Sequence, residues 1–278
     1  MSDYKWSIPF MRAGYGGRGV TYLAIAGISL WAIWAGGEAQ GTSSVLERLS
    51  GGTFGMIVLW IIALGLMAYA VWRLIDAWAD LEDYGTDAKG LIARTGEVVT
   101  GLIHGALGVT AALIAMGDKQ GGGEGGGVES AVSTVLGWPG GRWILGFAAL
   151  CTLGAGVYYL HKAITAKYRQ KLMANEFTRN YDWALRAGVL AQGVVVGVVG
   201  GFLALAAWNG NPDEAGGLDK VFEFLNGQPF GNVLVVGLCL GLLGFAFFCF
   251  ANAAYRIIEK VPHDGLTSLK AELKAAAG

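Results

Sequence analysis

Ionisable side chains inside long apolar stretches are the residues of this sequence that could do chemistry. Arg73 and Asp76 are three positions apart, and Glu97 and His104 are seven apart, in segments that are otherwise apolar or small. A charged group within a bilayer is costly and marks a candidate binding site or ion pathway. A histidine near a glutamate could also pass protons.

Further polar residues join this set when the chain is aligned with itself. The spacing i, i+3, i+7 places three residues on one helix face. Arg18 and Tyr22, then Glu97, Thr100 and His104, then Gln192 occupy this face in three apolar stretches. We therefore predict one polar cavity, built from Arg18, Tyr22, Glu97, Thr100, His104, Gln192, Arg73, Asp76, Lys162 and Asn252.

The same residues have a second, structural interpretation. Arg18 would pair with Asp76 or Glu97, or would extend to lipid phosphate, and His104 would bond a neighbouring helix. In that case the polar side chains hold the helices together and bind no ligand. The sequence leaves both interpretations open.

Other kinds of site find little support. The run from Gly121 to Gly127 lacks the lysine and hydroxyl residue of a phosphate loop, so we interpret it as a linker. The histidines and the three cysteines lack metal-ligand spacing. We expect no catalytic residue, metal or cofactor, and the net charge of -1 argues against nucleic-acid binding.

The elements that must position these residues are membrane-spanning helices. Of 278 residues 54% are hydrophobic, and the mean hydropathy is +0.49. A span needs about 20 mostly apolar residues. Six stretches qualify: roughly Gly14–Ala35, Gly55–Trp78, Gly96–Met116, Arg142–Ile164, Gly188–Trp208 and Val233–Tyr255.

Charge predicts the orientation of these spans. Of the 20 Lys and Arg residues, only Arg48, Lys119, Arg142 and Lys220 lie in the three loops after the odd-numbered spans. By the positive-inside rule both termini are cytoplasmic. The expected location is therefore a bacterial inner membrane, with the N and C termini inside.

A two-span unit recurs three times. Arg-x-Gly-x4-Gly begins each odd span, at Arg12, Arg94 and Arg186. A Gly-rich turn precedes each even span, and a short amphipathic stretch comes before each turn: Val45–Leu49, Ala131–Leu136 and Val221–Leu225. The repeats cover approximately residues 10–80, 92–166 and 184–257. We predict an all-α, six-span domain over residues 1–261 with pseudo-threefold symmetry, followed by a short amphipathic tail at 262–278.

Small residues line one face of the odd spans. Such faces let helices approach closely in lipid. We expect them to mediate packing among the odd spans through Gly19, Gly101, Gly105, Gly108, Gly193, Gly197 and Gly200. The basic segment after the fourth span is predicted to continue that helix and to place Lys167, Arg169 and Lys171 near anionic headgroups.

These motifs resemble the bacterial membrane family catalogued as domain of unknown function 1206 (DUF1206). The resemblance rests on the Arg-x-Gly-x4-Gly start, the outer Gly-x-Pro-Phe-Gly turn and the segment Tyr69-Ala-Val-Trp-Arg73, and it covers roughly residues 10–260. The second repeat departs from the pattern at Trp138 and Tyr158. The resemblance implies three two-helix repeats and supplies no activity.

Two functions follow as expectations. The first is a small-solute or ion channel, a transporter or a lipid-binding protein that uses the polar cavity. The second is a non-catalytic accessory subunit of a larger membrane complex, with a membrane-protein partner or a second copy of the chain. Anionic lipid at the cytoplasmic face is the expected partner in either case.

Overall fold

The structure, a computed structural model, describes residues 4–118, 127–260 and 268–276, and these residues form helices and no β-strand. The α-helices are α1 (Ile8–Trp34), α2 (Thr42–Leu49), α3 (Thr53–Ala79), α4 (Ala88–Ala115), α5 (Val128–Leu136), α6 (Gly141–Ile164), α7 (Glu176–Asn180), α8 (Asp182–Asn209), α9 (Leu218–Asn226), α10 (Gly231–Tyr255) and α11 (Leu269–Ala276). Short 3-10 turns occupy Tyr4–Ser7, Lys167–Lys171 and Pro212–Glu214.

Five of the six long helices, namely α3, α4, α6, α8 and α10, are long and apolar enough to cross a membrane. Helix α1 has 27 residues, as α3 does, but falls outside this group. Its sequence explains the difference, because Arg18 and several glycines and tyrosines dilute its apolar residues.

Local signals fix several helix ends. The Asp87 side chain accepts a hydrogen bond from the Gly90 amide, 2.8 Å away, and so caps α4. Asp80 ends α3 in the left-handed region. Helix α6 ends at Ile164, and Ala166 is left-handed at the equivalent position of its repeat. The expected continuation of α6 is therefore wrong, since a 3-10 turn follows instead.

The three predicted amphipathic stretches are short helices. Helices α2, α5 and α9 bury Val45 and Leu46, Val132, and Val221 and Phe222 respectively. Each is followed by the Gly-rich turn and by an even-numbered span. The predicted tail helix is also present, as α11, although residues 261–267 and 277–278 lie outside the described part, as does most of the Gly-rich run.

The turn glycines recur because backbone passes against backbone. A Cβ atom built on Gly55, Gly141 or Gly231 would overlap a carbonyl oxygen at the end of the preceding short helix. These oxygens belong to Leu49, Val135 and Asn226. The three repeats thus use the same close approach to fold the outer helix onto the even span.

The long helices form an arc in the order α4, α3, α1, α10, α8, α6. Helices α1 and α3 belong to one repeat and are packed together, and so are α8 and α10. Helices α4 and α6 of the second repeat have no substantial contact with each other in the described structure. The arc is therefore open on that side.

The glycine faces of the odd helices pack differently from the expectation. Gly101, Gly105 and Gly108 of α4 lie against α3, and Gly193, Gly197 and Gly200 of α8 lie against α6. Gly19 of α1 lies against Phe250 of α10. Through these glycines each odd helix thus packs on an even helix of another repeat, and the predicted packing among odd helices is wrong. A small face needs a close neighbour, but the sequence does not specify which one.

Candidate functional site

The Tyr69 hydroxyl lies at the centre of the inner polar residues. Its oxygen accepts hydrogen bonds from Arg18 Nη1 at 2.8 Å and from Arg73 Nε at 2.9 Å. Tyr69 itself is fully buried on α3. One phenol oxygen therefore connects a guanidinium of α1 to a guanidinium of its own helix.

Arg73 holds the two acidic residues of the predicted site. Its Nη1 atom lies 3.1 Å from Asp76 Oδ2 and 3.1 Å from Glu97 Oε1. This arginine also donates to the Tyr15 hydroxyl at 3.2 Å. The ion pairs join α3 to α4. The suggested pairing of Arg18 with Asp76 or Glu97 is wrong, because Arg73 occupies that place.

Arg18 has a different environment. It is 3% exposed, and its guanidinium carbon lies 4.6 Å from the Tyr69 ring centroid and 5.3 Å from that of Phe245. No carboxylate in the described chain lies within ion-pair distance, and Nε has no hydrogen-bond partner. Arg18 is thus a buried cation that contacts aromatic rings and the Tyr69 hydroxyl, and its Nε–H donor has no partner.

The other residues predicted on α4 have local partners. The His104 ring lies 4.9 Å from the Tyr69 ring, and its Nδ1 atom is 2.8 Å from the Thr100 carbonyl oxygen. The Thr100 hydroxyl donates to the Gly96 carbonyl of the same helix. His104 therefore borders the Tyr69 cluster, whereas the hydroxyl of Thr100 is satisfied within α4.

The predicted residues on α1, α6, α8 and α10 surround the same interior. Tyr22 packs edge-on against Phe245 at 4.8 Å, and the Lys162 ammonium lies 5.8 Å from the Phe248 ring. Gln192 is buried, and its side-chain oxygen has no partner. The buried side chain of Asn252 instead hydrogen-bonds to Arg256, in a second cluster of polar residues.

A salt-bridge clamp lies at one end of the bundle; it consists of Glu82, Lys171 and Arg256. Glu82 Oε1 lies 2.6 Å from Arg256 Nη2, and Glu82 Oε2 lies 2.7 Å from Lys171 Nζ. Asn252 Oδ1 accepts a bond from Arg256 Nη1 at 2.7 Å. The clamp connects the segments that follow α3, α6 and α10, one from each repeat.

The clamp lowers the pKa of the Glu82 carboxyl group. Glu82 is 1% exposed, and burial alone would raise the pKa of its carboxyl group. Arg256 and Lys171 outweigh that effect and lower the pKa to about 2. Glu82 is therefore ionised at neutral pH and holds the two cations in place.

The three residues predicted to meet lipid headgroups differ in their contacts. Arg169 pairs with Asp182, and Lys171 belongs to the clamp and also contacts Glu259. Lys167 is exposed. Two of the three basic side chains therefore bind carboxylates of their own chain.

The sequence analysis missed Tyr69, Glu82 and Arg256 as site residues. Tyr69 and Arg73 are four positions apart, so both lie on one face of α3. Because both belong to the segment Tyr69-Ala-Val-Trp-Arg73, this spacing could have identified Tyr69 from the sequence. Glu82 and Arg256 lie just beyond the apolar stretches, where charges are common. No local pattern distinguishes them from solvated residues.

The interior brings cationic side chains and phenol hydroxyls together. Within the described ranges, no three His, Cys, Asp or Glu residues come together as metal ligands. The cationic side chains, the phenol hydroxyls and the Gln192 amide supply donors that suit an oxyanion.

Comparisons with known proteins agree with the repeat structure. A family described as Domain of Unknown Function (DUF1206) matches three times, over residues 13–80, 95–166 and 187–256. The uncharacterized protein YxxB of Bacillus subtilis (strain 168) is 25% identical over 256 residues, which cover 90% of this chain and 92% of that protein. No solved structure matches the chain. With three matches that follow its three repeats, the chain belongs to the DUF1206 family.

Proposed function

We propose that this protein binds an anionic group at Arg18, as a lipid-binding or solute-transport protein without catalytic activity. It would be a six-span protein of a bacterial inner membrane with both termini inside. The distribution of Lys and Arg supports that orientation. The length of α1, comparable to that of the other long helices, supports its role as the sixth span.

The observation that carries the proposal is the buried, unpaired guanidinium of Arg18. Removing an ion from water costs several kcal/mol unless a counter-charge and hydrogen bonds compensate. The nearby carboxylates, Asp76 and Glu97, contact Arg73 instead. Rings at 4.6 and 5.3 Å offset part of the cost. A bound oxyanion would supply the counter-charge and use the free Nε donor.

Ligand-induced stabilisation tests this proposal. A ligand at 100 times its Kd stabilises the folded state by about 2.7 kcal/mol. We expect the purified protein to melt at a higher temperature with inorganic phosphate or a short-chain alkyl phosphate, and an uncharged alcohol of equal chain length to have no such effect. Arg18→Gln should abolish the shift.

Arg12→Gln is the matched control, because Arg12 is an exposed arginine of the same helix. It should retain the full shift. Equal shifts in the wild type and in Arg18→Gln would refute the anion site, and so would the absence of a shift with either phosphate.

The accessory-subunit alternative has one observation in its favour, the open side of the arc between α4 and α6. A helix of another membrane protein, or of a second copy, would fit there. Extraction in native lipid with a polymer, followed by mass analysis, tests this alternative. A stoichiometric partner would favour the accessory function, whereas free protein that carries lipid would favour anion binding.

A further inference from the structure

The second repeat lacks a helix contact that the other two repeats make. In the first repeat Gly14 of α1 lies against the backbone of Tyr69, and in the third Gly188 of α8 lies against Gly244 of α10. The equivalent residues of the second repeat are Gly96 on α4 and Gly154 on α6. Neither has a neighbour within 4 Å at its Cβ position, and both are exposed.

A second pair of positions repeats the observation. Ala191 of α8 lies against Gly241 of α10, and the equivalent residues of the second repeat are Val99 and Cys151. Val99 is 50% exposed, and Cys151 is also exposed. We call the space flanked by Gly96, Val99, Cys151 and Gly154 the α4–α6 seam. Gly96, Cys151 and Gly154 are small, as are their counterparts in the third repeat, but helices α4 and α6 stand apart.

The seam is the open side of an interior that is covered elsewhere. At the inner end, the clamp of Glu82, Lys171 and Arg256 connects the three repeats. At the outer end, α2, α5 and α9 pack on the long helices. Helices α4 and α6 are also the two least buried of the five strongly apolar helices. The seam is therefore the side from which a ligand would approach Arg18, which is itself 3% exposed.

The exposed side chains of α4 and α6 that border the seam are apolar, whereas the interior is cationic. Ile103 of α4 is 54% exposed, and Phe147 and Tyr158 of α6 are 70% and 52% exposed. In the interior, Arg18 lies against the Tyr69 and Phe245 rings, and Lys162 lies near the Phe248 ring. Arg18 is ten residues from the start of α1, about 15 Å along the helix axis. A ligand that fits both environments has an anionic head and an apolar chain.

We propose that a membrane lipid with an anionic phosphate headgroup enters laterally through the α4–α6 seam and places its head at Arg18. This inference rests on the proposed anion site and adds the ligand class and its route. The acyl chains stay between α4 and α6, among Ile103, Phe147 and Tyr158. Gly96 and Gly154 allow the two helices to approach when the seam is empty.

Photo-crosslinking in vesicles tests the route. The probe is a phosphatidic acid with a diazirine on its acyl chain, in vesicles of phosphatidylcholine that contain the purified protein. We expect mass spectrometry to locate the label on seam residues of α4 and α6. Arg18→Gln should lower this labelling about tenfold, which corresponds to a loss of about 1.4 kcal/mol in binding.

A blocked seam supplies the second variant. Gly154→Trp places a large side chain in the seam at a position where a Cβ atom has no protein atom within 4 Å, so we expect the fold to persist and the labelling to fall about tenfold. Gly146→Trp is the matched control on the same helix, since Gly146 also has open space at its Cβ position but lies outside the seam. It should leave the labelling unchanged.

The outcomes separate this inference from the function on which it rests. Equal seam labelling in all four proteins would mean ordinary surrounding lipid and would overturn the lateral route. If inorganic phosphate stabilised the protein through Arg18 while the seam stayed unlabelled, the anion site would stand and the lipid route would fall.

Discussion

At the scale of single residues, the interior depends on shared partners. The Tyr69 hydroxyl accepts hydrogen bonds from two arginines, Arg73 forms ion pairs with two carboxylates, and Glu82 forms ion pairs with two cations. Each of these three side chains is buried or nearly so. Loss of one shared group therefore leaves several charged or polar atoms without partners, which costs more than the loss of a surface contact.

The first prediction at this scale concerns the Tyr69 hydroxyl. Tyr69→Phe keeps the ring and removes the acceptor of two guanidinium donors. We expect a loss of about 1–3 kcal/mol in stability, measured as a lower melting temperature. Tyr158→Phe, at an exposed tyrosine of α6, should melt like the wild type. Unchanged melting of Tyr69→Phe would show that the shared hydroxyl contributes nothing to stability.

The second prediction concerns Glu82 and acid. Its pKa is about 2 in the folded protein, against an ordinary value of 4.5. A lowered pKa stabilises the folded state fully above the ordinary value and loses this effect as the pH falls toward 2. The melting temperature of the wild type should therefore decrease as the pH falls from about 5 to 2.

The substitution Glu82→Gln isolates this contribution. It should lower stability at neutral pH by about 3–5 kcal/mol, because Arg256 loses its carboxylate partner and Lys171 loses one of its two, and it should flatten the decrease in acid. Glu259→Gln is the control, since Glu259 contacts Lys171 near the surface. That change should cost less than about 1 kcal/mol. Equal effects of the two substitutions would contradict the clamp.

At the scale of elements, each repeat folds by the same two devices. A short outer helix packs against the start of the even span through a turn glycine, and a small-residue face of the odd span packs against a neighbouring even span. Both devices require backbone close approach. The stability lost when one of these glycines is substituted depends on whether a neighbouring atom lies at its Cβ position. Glycines of the same helix should therefore differ strongly in the effect of substitution.

Two glycines of α10 provide that comparison. Gly231→Ala would force a methyl group against the Asn226 carbonyl, and overpacking of this kind costs about 1–3 kcal/mol. Gly237 has open space at its Cβ position, and Gly237→Ala should be neutral or slightly stabilising. Melting temperatures of the two variants test the difference. A neutral Gly231→Ala would show that the outer helix shifts freely.

The helices and the repeat were predictable because their signals are local. Apolar length specifies the spans, and the recurrence of Arg94 and Gly101 in other repeats reveals the unit. The partner of each helix was not predictable, because Gly101 fits α3 or another helix equally well by sequence. Likewise, the sequence places Arg18 and Arg73 at similar depth but does not show which of them holds Glu97. That choice depends on distances between helices.

At the scale of the whole molecule, the arc divides into two halves joined at its centre. Helices α1, α3 and α4 precede residues 119–126, and α6, α8 and α10 follow them. The halves meet through α1 with α10, through α2 with α9, and through the ion pairs of Glu82 with Lys171 and Arg256. Since α4 and α6 have no substantial contact with each other, these contacts hold the two halves together.

This arrangement predicts the behaviour of a cleaved chain. A protease site inserted between Asp118 and Gly127 should allow complete cleavage while both fragments stay together in size-exclusion chromatography. Gly19→Leu, which would overlap Phe250 at the central contact, should make the cleaved fragments separate. The uncleaved Gly19→Leu protein serves as the control for folding. Fragments that separate without Gly19→Leu would contradict the helix order.

The shared oxygen of Tyr69 has one more consequence, which is thermodynamic coupling. Arg18 and Arg73 donate to the same atom, and Arg73 also forms an ion pair with Glu97 on α4. Helix α4 borders the α4–α6 seam. A ligand that draws Arg18 away from Tyr69 changes the hydrogen bonding of Arg73 and hence the hold on α4. Linkage is reciprocal, so a lipid whose binding depends on the position of α4 would change the affinity for a ligand at Arg18 by the same factor by which that ligand changes the affinity for the lipid.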